Sequence, residues 1–68
     1  MNDTNALFLI NQINPVLKHS TSFIRKLELD PDNGEIKLMN LCRACLHRVD
    51  YTNLGTVDVI FEIFDYMR

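Results

Sequence analysis

The stretch "LDPDNGE", residues 29–35, is the sharpest break in this sequence, and it limits what the chain can fold into. Asp30 places a capping carboxylate directly before Pro31. Proline is tolerated at the first position of a helix, because its missing N–H would lack a partner there anyway. Asp32 and Glu35 offer a competing Asp-x-x-Glu capping box one turn later. A helix is therefore expected to start near residues 31–33 and to end near Val49, before the polar "DYTN". In a chain of 68 residues, a break at that point leaves room for three short elements in a single domain, residues 1–68.

Ahead of the break, Leu7, Ile10, Ile13, Leu17, Ile24 and Leu27 keep one helical stripe in steps of three, four or seven. The stripe crosses Pro15, which follows a second capping residue, Asn14. Its continuity favours a kinked helix over two reoriented ones. Proline inside a helix costs about 3 kcal/mol, so such a kink needs tertiary support.

Behind the break, "TVDVIFEIF" is ambiguous. Val57, Val59, Phe61 and Ile63 alternate as a strand would. The acids decide for a helix, since Asp58, Glu62 and Asp65 at i, i+4 and i+7 fall within roughly 60° of one another on a helical wheel. Thr56 supplies a capping side chain. The apolar residues of this helix cover about 220° of the wheel, more than the ~100–140° that packing in a small bundle uses. The excess implies a second buried face, contributed by another chain.

These readings add up to an all-α fold: a small three-helix bundle with a kinked first helix, or a helical hairpin plus a terminal helix, and in either form an oligomer. Low-complexity segments and repeats are absent, and no apolar run approaches the ~18 residues of a membrane span. "ALFLI", residues 6–10, lacks the length and the flanks of a signal peptide. Two cysteines three positions apart cannot form a disulfide framework, so reduced thiols and a cytoplasmic location are expected.

The most chemical-looking stretch is "LMNLCRACLHRV", residues 38–49. On a helix, Cys42 and Cys45 share the apolar stripe of Leu38, Leu41, Leu46 and Val49, while His47 points away. That placement makes the thiols packing groups. A structural zinc ion needs four ligands, and His19 and His47 are the only candidates to complete the pair. A redox pair wants its first thiol at a helix N-terminus, whereas this one lies deep in the expected helix. "DPDNGE" fails as a calcium loop: with Asp30 at its first position, Gly34 falls at the fifth rather than the sixth, where glycine is needed, and Leu41 falls at the twelfth, where glutamate is needed. No phosphate loop and no nucleophile constellation is present, so the chain is read as a non-enzyme without cofactor or metal.

The net charge of −2 speaks against a nucleic-acid binder. The expected function is a small protein-binding module: an inhibitor, adaptor or regulator of a larger partner, of a kind phages and mobile elements encode. It would self-associate, clamp onto a larger target, or do both. The binding residues are Asp58, Phe61, Glu62, Phe64, Asp65 and Tyr66, apolar anchors beside an acidic rim. Two alternatives stand beside it. One is a nucleic-acid-binding transcriptional regulator using Arg43, His47 and Arg48 on the middle helix. The other is a subunit of a self-assembling helical structure.

Overall fold

A computed structural model describes residues 1–68. The chain runs α1 (Asp3–Lys18), β1 (Lys26–Asp30), β2 (Glu35–Met39), β3 (Cys45–Asp50) and α2 (Thr56–Met67). The three strands form an antiparallel meander in the order β1-β2-β3. α1 packs against β1 and α2 against β3, and both helices bury side chains in one core with the inner face of the sheet.

The all-α expectation is therefore overturned. Neither the three-helix bundle nor the helical hairpin with a terminal helix is present, because residues 26–50 fold as a sheet. The cause lies in a period of two. Leu27 and Leu29, Ile36 and Leu38, and His47 and Val49 face the helices. Glu28, Glu35, Lys37 and Arg48 alternate with them and face outward. Alternating side chains suit a sheet with one dry face and one wet face. The inward row, Leu27, Ile36, Leu38 and Val49, is fully or almost fully buried.

"LDPDNGE" is the first hairpin turn rather than a helix start. Asp30 pairs with Glu35 across it, and the Gly34 amide donates to the Pro31 carbonyl at 3.3 Å. Gly34 sits at φ 65, and a Cβ added there would lie 2.4 Å from the Thr52 γ-methyl. Both the dihedral and the close approach call for glycine. The Asp30 carboxylate accepts from the Asn33 side-chain amide instead of capping a helix.

The first helix runs through Pro15 as one element, with Asn2 as its N-cap accepting from the Asn5 amide. Ile10, Ile13 and Leu17 are buried, as is Ala6, while Leu7 is 47% exposed. Ile24 and Leu27 do reach the core, but from the following loop and from β1. The tertiary support for the proline is visible. Asn14 caps no helix; its side chain accepts from the Leu27 amide at 2.8 Å and donates to the Leu27 carbonyl at 3.1 Å. The Arg25 guanidinium donates to the Ser20 carbonyl at 2.7 Å and the Lys18 carbonyl at 3.3 Å, placing a cation where the helix exposes its unpaired carbonyls.

Tyr51, fully buried, ties three segments together. Its amide donates to the Gly34 carbonyl at 3.1 Å, and its hydroxyl donates to the Asp3 carboxylate in the first turn of α1.

Candidate functional site

Residues 56–67 are helical, and the N-cap is Gly55 rather than Thr56, which is the first helical residue. The apolar arc of α2 divides into two sides. Val59 and Ile63, one turn apart, are completely buried against the sheet. Val57, Phe61 and Phe64, at i, i+4 and i+7, form a separate row that is 62%, 64% and 45% exposed. At about 100° per residue these three span roughly 60° of the helix surface. Asp58, Glu62 and Asp65 form the adjoining row, shifted by one residue, and all three are exposed. The surface is thus an aromatic ridge with an acidic margin on one flank.

Of the residues expected to bind a partner, Asp58, Phe61, Glu62, Phe64 and Asp65 lie together on this outer side. Tyr66 does not join them. It is half-buried, its ring stacks on His47 at 4.4 Å with 4° between planes, and its hydroxyl donates to the Leu46 carbonyl at 3.2 Å. Phe23 completes that cluster with its centroid 5.9 Å from the Tyr66 ring. Val57, which the sequence reading did not single out for binding, belongs to the ridge.

Charge elsewhere on the surface is largely spoken for. On the outer face of the sheet, Arg48 reaches Asp30 and Glu35, each at 3.3 Å. The hydrogen bond from the Asn33 amide, together with the nearby Lys37 and Arg48 cations, holds the Asp30 carboxyl below its ordinary range. Hydrogen bonds from Thr52 and Asn53 do the same for Asp50. The contact with Glu35 raises Arg48 in turn. On α2, Asp65 pairs with the terminal Arg68 at 3.0 Å, whereas Asp58 and Glu62 have no cationic partner.

The expected middle helix is absent, so its basic face is absent too. Arg43 lies in the second hairpin turn, Arg48 is engaged on the outer sheet face, and His47 points inward against Tyr66. The cysteines also move. Cys42 and Cys45 are both exposed, at the tip of the β2–β3 hairpin, rather than packed inside. Leu41 and Leu46, expected beside them in the core, are 81% and 39% exposed. No group of three or more His, Cys, Asp or Glu side chains converges as a metal site would require. No helix is long and apolar enough to cross a membrane.

Comparison with protein-family models, with curated proteins and with solved structures finds no significant match for this chain.

Proposed function

We propose that this chain is a non-enzymatic protein-binding module that docks through the outer side of α2 onto an apolar groove with a basic rim on a larger protein. One observation carries the reading: the exposed row of Val57, Phe61 and Phe64 beside two carboxylates that nothing in the chain neutralises. A partner that covers a phenyl ring removes it from water, a gain of about 1.5–3 kcal/mol for each ring fully buried. The acids select the partner's sign of charge and speed the encounter, while the rings supply most of the affinity. Acting as an inhibitor, adaptor or regulator is the use such a surface serves best.

The test is affinity capture from a lysate of the source organism, with wild type beside two folded variants. Phe61→Ala should weaken retention of the partner about 10- to 100-fold, the range of an interface anchor. Reversal of charge at Asp58 and Glu62 should slow association and remove most of its salt dependence. A partner held equally well by the Phe61→Ala chain would rule this surface out.

A further inference from the structure

The β2–β3 hairpin carries a second feature, unrelated to α2. Free cysteine is among the most buried of side chains, yet both cysteines of this chain are exposed on one tip. The tip is closed firmly. The Asn40 amide donates to the Ala44 carbonyl at 3.0 Å, the Arg43 amide donates to the Asn40 carbonyl at 3.1 Å, and the Ala44 amide donates to the Asn40 side chain at 2.9 Å. Cys42 lies inside this loop, and Cys45 opens β3. Neither thiol contributes to the core.

From this arrangement we infer that the hairpin tip is half of a zinc site, completed by Cys42 and Cys45 of a second copy. A structural zinc ion takes four ligands in a tetrahedron, and thiolates are among its preferred donors. The chain supplies two thiols here and no third ligand. His47, the nearest imidazole in sequence, faces the other way and is stacked on Tyr66. A second copy supplies the missing pair by symmetry, as isologous dimers do. Charge and surface both fit that occupant. Four thiols release four protons to solvent as they bind Zn2+, leaving a centre of charge −2. The two Arg43 guanidinium groups, one from each copy, bring +2 to the same tips. Leu41 and Leu46, exposed beside the cysteines, are covered when two tips meet.

The experiment titrates the reduced full-length chain with zinc chloride under a non-thiol reductant, following mass by light scattering. The expected result is one zinc per two chains and a doubling of the 7.9 kDa mass, reversed by a chelator. Cobalt(II) in place of zinc should give the intense visible absorption of a tetrahedral tetrathiolate centre. Cys42→Ser and Cys45→Ser should each lose both the dimer and that spectrum, with the far-ultraviolet circular dichroism of the folded chain retained. A chain carrying Phe61→Glu and Phe64→Glu should keep them, which separates this site from the α2 surface. Zinc held one-to-one on a monomer would overturn the inference. So would no uptake at micromolar free zinc, a dimer that survives loss of the cysteines, or a dimer lost with the phenylalanines.

Discussion

Between β1 and β2 the chain turns through Gly34 at φ 65, and between β2 and β3 it turns through Arg43 at φ 64. The two hairpins place the same demand on the backbone and meet it differently. The first uses the residue with no Cβ, pressed against Thr52 and fixed by a hydrogen bond from Tyr51. The second holds an arginine in the left-handed region, where a side chain costs roughly 1–2 kcal/mol. It does so on a tip whose residues Leu41 to Leu46 are all exposed. The first turn is shaped by what folding requires. The second holds a side chain in a conformation that glycine would adopt without that cost.

Substitutions can break this contrast or sharpen it. The largest effect belongs to Gly34→Ala, which adds the left-handed penalty to an approach of 2.4 Å on the Thr52 methyl. A loss of about 2 kcal/mol is expected in urea unfolding, partly restored by Thr52→Ser. A smaller loss, about 1–1.5 kcal/mol, is expected for Tyr51→Phe, which removes the hydrogen bond to Asp3. This variant also carries a signature in pH. The Asp3 carboxylate, through its hydrogen bond to the phenol, raises the Tyr51 pKa from 10.0 to about 12. A group whose pKa is raised by folding contributes stability fully present below its unfolded value and lost as pH rises through its folded one. The wild-type advantage over Tyr51→Phe should therefore shrink between pH 10 and pH 12 in thermal melts. The smallest effect has the opposite sign. Arg43→Gly relieves the second turn and should stabilise the chain by about 0.5–1 kcal/mol. A loss of stability there would show that the arginine side chain contributes to the fold, and the contrast between the turns would collapse.

The helices were legible in the sequence and the sheet was not. Ile10, Ile13 and Leu17 repeat for long enough to be read only as a helix, and the acids of α2 settle its ambiguous stretch. Each strand, by contrast, offers only two inward apolar or aromatic positions, too few to establish a period of two. Leu38, Leu41, Cys42, Cys45, Leu46 and Val49 also satisfy helical spacing, although Leu41 and Leu46 are in fact exposed. The usable signal was Pro-Asp-Asn-Gly between Leu27/Leu29 and Ile36/Leu38, a turn flanked by two alternating runs. Capping logic claimed the same residues, and it won because aspartate before proline serves either role. On α2 the outer ridge follows from spacing alone. The inward turn of Tyr66 does not, since it depends on a carbonyl and an imidazole supplied by a strand the sequence did not reveal.

A three-stranded meander has two open sides, and each invites a strand from another molecule. Asn14 closes part of one. Its side-chain amide presents to Leu27 the same donor and acceptor that a neighbouring backbone would, so that stretch of β1 finds its pairing inside the molecule. The residue that steadies a proline-bearing helix therefore also occupies edge groups that a strand from another chain would otherwise reach. Exchanging it for a leucine would leave that stretch of β1 unpaired, as open to another strand as the far edge along β3 already is.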